Sequence, residues 1–574
     1  MLKLEKRRCQ AGDWRILEED QTDQTDPSCR PLRQSLLATR INGKKGSRIW
    51  AAGLISRLET NPRKRPLFPL PMTQPAPAQG FHGFLQKFLC LRTAPRELWI
   101  IYFAYILENL AYKTGAASVL PLWLSSDLGF DDVKAGAMVA GWSAIMTLIT
   151  VFVGSLTDAM GIRRTFLLGF SICLISRIVM ASTLNRWIAL PGGLYLQAMG
   201  LALMVPVMTA AVKRYTNAAQ RTVAFSLYYA LMNLGFAGGD WILDRVRATP
   251  PKGLGEHGSW ILPWLGMEFS TYRVLILMSV VFTIPGLLVV WGLVRDGVEM
   301  TETGIKITTT KGVDSRGKSW LAMLRENTNN TAVKTGKIFS GLWAQPAFYR
   351  FLLFMTLVVG VKMIFFHLNY TFPKYAIREL GDGAPFARMT GMLNSLLIVV
   401  LVPICGVLSQ KISAYRMVTI GSLISALSVF FIALPPELFK PLADGWPGHA
   451  IAHLWLGVDG TVVNPLYVSV FLFVVLLSIG EALWSPRLYE YAAAIAPRGQ
   501  EASYMALSLL PFFGAKLLVG GISGPLLTHF CPAEGPRNSS MMWLIIGGIA
   551  LLTPVGSYLF RKSIQVHEDG REGD

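Results

Sequence analysis

Three stretches of this chain, Phe351–Val361, Leu396–Leu408 and Leu466–Ile479, contain no charged residue, and each lies within a longer apolar run. A helix needs about 20 apolar residues to cross the roughly 30 Å hydrocarbon layer of a bilayer. Inside that layer a segment must satisfy its own backbone polar groups, which leaves helices and closed barrels. Barrel strands alternate in polarity over about ten residues; these runs are too long and too continuous for that. They predict membrane-spanning helices. Composition agrees: 52% of the 574 residues are hydrophobic and 16% charged, with a mean hydropathy of +0.41. A soluble protein carries about 25% charged residues.

Twelve such runs can be placed, giving an all-α membrane protein. The first six cover 98–124, 137–156, 165–184, 190–212, 222–244 and 274–294; the second six cover 351–374, 389–409, 416–434, 466–484, 503–528 and 541–560. This predicts two pseudo-symmetric six-helix bundles, at 97–294 and 351–562. Residues 1–96 mix charged residues with a Pro-rich stretch at Pro66–Pro77, and read as a disordered basic cytoplasmic extension. Residues 295–350 form a central loop rich in Lys and Arg, and 563–574 a short tail.

The formal net charge of +18 sits mostly in the N-terminal segment, the central loop and short inter-helix loops. Basic residues collect on the cytoplasmic side of membrane proteins. An even number of spans puts both termini there, and Arg561-Lys562 after the last run agrees. The same distribution argues against nucleic acid as a partner, because no basic module with interleaved aromatics accompanies the charge. The six cysteines form no CxxC pair, so no cysteine-based metal site is expected. His449 and His453 have i, i+4 spacing but lack the glutamate of a zinc-hydrolase motif. No nucleotide-binding glycine loop is visible. These absences argue against an enzyme or an ATP-driven pump, and no cofactor or metal is expected. The sequon Asn538-Ser539-Ser540 almost touches the last run and is expected to be unused.

The stretch after the second run reads Gly154-Ser-Leu-Thr-Asp158-Ala-Met-Gly161-Ile-Arg163-Arg164. Gly154 permits close helix packing and Gly161 a tight turn. Asp158 can pair with a basic residue or a helix end, while Arg163 and Arg164 hold the loop at the cytoplasmic side. This stretch resembles the loop signature of the major facilitator superfamily, which implies a conformational role rather than a chemical one. The matching place in the second half keeps only Gly406, Lys411 and Arg416.

Further segments resemble the proton-coupled oligopeptide transporter branch of that superfamily. They are Glu108-Asn109-Leu110-Ala111-Tyr112, Phe225–Gly235 with its Tyr229 and Asn233, and Gly480-Glu481-Ala482-Leu483-Trp484-Ser485-Pro486. The chain departs from that branch where Tyr105 replaces the first acid of the helix 1 motif, Asn109 its arginine, and Val205 the lysine before Pro206. By the resemblance, Glu481 contacts a cationic group of the substrate and Asn233 hydrogen-bonds it.

Charges at mid-membrane cost at least about 2.5–3.5 kcal/mol on insertion scales, so they face a partner or a watery cavity. Glu108, Lys113, Arg177, Lys362, His367, Glu481 and Lys516 are the candidates. We assign Glu481, Asn233, Tyr112 and Lys362 to substrate binding. Glu108 and His367 are assigned to proton coupling, the first because desolvation favours a neutral carboxyl, the second because an ordinary imidazole titrates near neutrality. Cations outnumber acids in this set, which suits a zwitterionic or anionic solute. The expected function is secondary transport of a small polar organic solute (peptide-like, amino acid or organic anion) by alternating access, with protons as the expected coupling ion. The alternatives are a facilitative uniporter of a sugar or other solute, and a transport-inactive sensor on the same fold. The expected location is the plasma membrane or an internal organelle membrane, with the lipid bilayer and a small-molecule solute as partners.

Overall fold

The computed structural model describes residues 89–263, 266–301, 304–307, 345–408, 412–495 and 510–564. The expected N-terminal extension, most of the central loop and most of the tail lie outside the described residues.

Twelve long helices carry the described chain: α1 (Arg96–Gly115), α2 (Asp132–Met160), α3 (Ile162–Ser182), α4 (Leu196–Arg214), α5 (Ala218–Arg247), α6 (Thr271–Leu293), α7 (Pro346–Tyr370), α8 (Leu393–Leu408), α9 (Ala414–Ala433), α10 (Pro465–Ile495), α11 (Leu510–Phe530) and α12 (Ser539–Leu559). Among the described residues, nine helical segments are long and apolar enough to cross a membrane. Of the others, α1 holds Glu97, Glu108 and Lys113, which lower its hydropathy. Two short hairpins complete the fold, β1 (Ser259–Leu262) with β2 (Met267–Ser270), and β3 (Val298–Thr301) with β4 (Gly304–Ile307).

The packing pattern repeats between the halves. In the first, α1 packs on α5 and α6, α3 on α4 and α6, and α2 on α4. Adding six to each number gives the pattern of the second: α7 on α11 and α12, α9 on α10 and α12, and α8 on α10. The seam between halves obeys the same rule, with α2 against α11 and α8 against α5. Two matched breaks reinforce the symmetry. α1 stops at Gly115 and resumes as Val119–Ser126, with Ala117 at a φ of 26° between them. α7 stops at Tyr370 and resumes as Phe372–Leu380.

Outward faces are apolar. On α6, Val281, Ile284, Leu288 and Trp291 are exposed at helical spacing, while Ile276, Ser279, Thr283 and Val290 are buried. A stripe of that kind in water would be a liability; against lipid tails it is the expected solvent face. The polar residues point inward, the reverse of a soluble helix.

We call the face where α1 begins the inner face, and the other the outer face. Thin faces let helices cross closely. A Cβ on Gly520 of α11 would meet Ala140 of α2 at 2.6 Å, and one on Gly421 of α9 would meet the Gly480 carbonyl of α10 at 2.7 Å.

Candidate functional site

The ionisable residues near mid-membrane separate by bundle. Among the described residues of the first bundle, two opposite-charge pairs form there. Arg177 on α3 grips Glu108 on α1 with two hydrogen bonds, at 2.6 and 3.1 Å, and also donates to Thr283 on α6. The arginine is fully buried and the glutamate nearly so. One turn further along α1, Lys113 forms an ion pair at 3.0 Å with Asp240 on α5. Gly391, ahead of α8, leaves room there; a Cβ at that position would lie 3.0 Å from Lys113 Nζ. These pairs cancel the charge of the first bundle within its own helices.

The second bundle differs. Glu481 on α10 is half-buried, and its Oε2 accepts from Asn394 on α8 at 2.9 Å; Asn394 also donates to Ser478 at 3.0 Å. Lys362 on α7 lies over the rings of Phe512 at 3.8 Å and Trp484 at 4.3 Å, within Coulombic reach of Glu481. Lys516 on α11 lies 5.6 Å over Phe366. Among the described residues neither lysine has a carboxylate within ion-pairing distance. Three helices therefore bring two cations and one acid to one region.

The other assigned residues fall around this centre or apart from it. Tyr112 is half-buried, its ring 6.0 Å from that of Phe236. The Asn233 side chain donates back to the Tyr229 carbonyl of its own helix at 2.9 Å. His367 is fully buried on α7; its Nδ1 meets Thr371 Oγ1 at 2.7 Å, and its Nε2 has no partner among the described residues. Glu108, assigned to proton coupling, is enclosed by Arg177 within the first bundle rather than gathered with Lys362 and Glu481. At the α2–α3 turn Gly161 has a φ of 84°, the conformation that favours glycine, and closes α2 with its N–H on the Thr157 carbonyl. Arg163 reaches Asp296 at 3.2 Å and the Trp291 carbonyl at 2.6 Å, while Arg164 is exposed. The surroundings of Gly154 and of the Asp158 side chain lie outside the described residues. The His449 and His453 rings lie 5.3 Å apart and tilted by 36°, and His453 Nδ1 meets the Val458 carbonyl at 2.7 Å.

A set of residues that sequence reasoning did not single out joins the two bundles. Asp132, at the start of α2, bonds Lys374 and Arg378 beyond α7, at 2.7 Å each; Lys374 also reaches Ser125. Asp244 at the end of α5 accepts the backbone N–H groups of Ala387 at 3.2 Å and Arg388 at 2.6 Å. Lys252 reaches Asp459 at 2.5 Å, and Arg247 donates to the Ala384 carbonyl at 3.2 Å. Deeper, Ser143 meets Tyr370 at 3.0 Å and Ser118 meets Asn369 at 3.3 Å. All of these described bridges lie from mid-membrane to the outer face, so the halves are latched on that side. The available signal was the placement of Asp132 just ahead of one apolar run and of Asp244 at the end of another.

Two repeated six-helix halves, latched at one face around a charged centre, define a multi-pass membrane transporter. The chain belongs to the Major Facilitator Superfamily, whose family model matches residues 98–470. No curated protein matches it. Among solved structures, it is similar to a POT family transporter in complex with 5-aminolevulinic acid, with 16% identity, a TM-score of 0.58, and coverage of 85% of this chain and 99% of the other. A POT family transporter with a thioalcohol-conjugated peptide gives 16% identity, a TM-score of 0.59, and coverage of 82% and 97%. An auto-inhibited POT family peptide transporter gives 15%, 0.57, and 84% and 99%. These likenesses establish the shared fold.

Proposed function

We propose that this chain is a secondary transporter that moves a small polar organic solute by alternating access, with Glu481, Lys362, Asn233 and Tyr112 lining the binding centre. One observation carries the reading: Glu481 stands at mid-membrane held by a neutral amide, with no arginine or lysine within ion-pairing distance among the described residues. A half-buried carboxylate whose nearest lysine, Lys362, lies within Coulombic reach but beyond ion-pairing distance is costly unless something cationic comes closer. A solute ammonium fits that need, and amine-bearing solutes are named for similar structures. Peptide-like solutes and amino acids are the leading candidates. Proton coupling is proposed with it, through Glu108 and His367, and the motif Gly154, Asp158, Gly161, Arg163 and Arg164 is proposed to govern the rocking of the halves.

The test is uptake of labelled dipeptides and amino acids by proteoliposomes, with and without an imposed proton gradient. Glu481→Gln is expected to raise the half-saturating concentration about tenfold or more, because a charge-assisted hydrogen bond contributes about 1.5–3 kcal/mol. Unchanged affinity and rate would remove Glu481 from the site. Binding without flux would favour a sensor on the same fold.

A further inference from the structure

The α7–α11 contact contains a reciprocal arrangement. Lys362 and Phe366 lie one turn apart on α7, and Phe512 and Lys516 one turn apart on α11. Lys362 covers Phe512 on the opposite helix, and Lys516 covers Phe366. Residues four apart share a helix face, so the two ammonium groups belong to one seam and stand about a turn apart. Aromatic faces hold a cation without neutralising it. The same row of α7 continues to Tyr370, which meets Ser143 of the first bundle. Deeper along that row, Phe366 keeps residual exposure, as does Lys516 across from it. The row therefore borders the space between the halves below the outer latch.

Charge accounting sets what this space accepts. The first bundle contributes zero: Glu108 with Arg177, and Lys113 with Asp240. Among the described residues near the centre of the second bundle, Lys362 and Lys516 stand against Glu481. A solute with one ammonium leaves that excess unmatched unless it also brings two negative charges.

We propose that Lys362 and Lys516 form an anion clamp across α7 and α11, and that the preferred solute is amphoteric with a net charge of −1: one ammonium toward Glu481 and two acidic groups, or one dianionic group, toward the lysines. This rests on the amphoteric-solute reading above. It places anion recognition wholly in the second bundle and makes Lys516 a specificity residue.

The test is equilibrium binding of three matched dipeptides, Ala–Glu, Ala–Gln and Ala–Lys, to the purified full-length protein in detergent. Ala–Glu is expected to bind about tenfold or more tighter than Ala–Gln, and Ala–Lys weakest. Lys516→Gln is expected to abolish the preference, Ala–Glu and Ala–Gln then binding alike, with a melting temperature equal to the parent's reporting that the variant is folded; Lys516→Arg is expected to keep the preference. Equal binding of all three, or an undiminished preference in Lys516→Gln, overturns the clamp but leaves the transporter reading standing. Binding of none overturns both.

Discussion

Glu108 and Glu481 look alike in sequence, each a lone acid in an apolar run, and the fold gives them different surroundings. Glu108 meets the guanidinium of Arg177 in bidentate geometry, the strongest form of charge pairing. Removing one partner of a buried pair typically costs 3–5 kcal/mol, because the other charge is stranded. Glu108→Gln is therefore expected to lower thermal stability in detergent by about that amount, and where folded protein is recovered, to lose accumulation driven by a pH gradient. Intact stability would show that Arg177 finds another anion; retained gradient-driven accumulation would end the coupling role of Glu108. Sequence could list both acids as costly, but whether an arginine 69 positions away faces one of them is a property of the α1–α3 packing. Asp240 is a second case. Its partner Lys113 was visible as a buried cation, yet nothing local tied the two.

At the scale of elements, helix identity and approximate ends were legible because each depends on local hydrophobicity. The sequence expectation started α11 at residue 503, and helix is described from Leu510, residues 496–509 lying outside the described set. The expected single runs at 98–124 and 351–374 contain breaks, at Ala116–Ser118 and at Thr371, that hydropathy does not register because the flanking residues remain apolar. Asn538 caps α12 by accepting the Met541 N–H, consistent with a sequon pressed against its helix. The α2–α11 crossing depends on absent side chains. Gly520→Val is expected to force the helices apart, lowering stability by about 1–3 kcal/mol through overpacking and abolishing uptake. A melting temperature and uptake rate equal to the parent protein would show that the seam is looser than its geometry.

For the whole molecule, the described bridges between the halves gather toward the outer face. Asp132 bridges the halves through Lys374 and Arg378, and a charge-assisted bond contributes about 1.5–3 kcal/mol. Asp132→Asn is expected to shift the population toward outer opening by about tenfold. A cysteine placed by Ser118→Cys should then react faster with a membrane-impermeant thiol reagent added from outside. Equal rates would show that the other bridges suffice. The chain's own order of residues determined that it enters a bilayer repeatedly as helices, since this follows from the run lengths. The tertiary structure alone decided which charges cancel and which remain for a solute. Pairing across a bundle depends on helix rotation and close approach, and these are settled by packing among segments far apart in the chain.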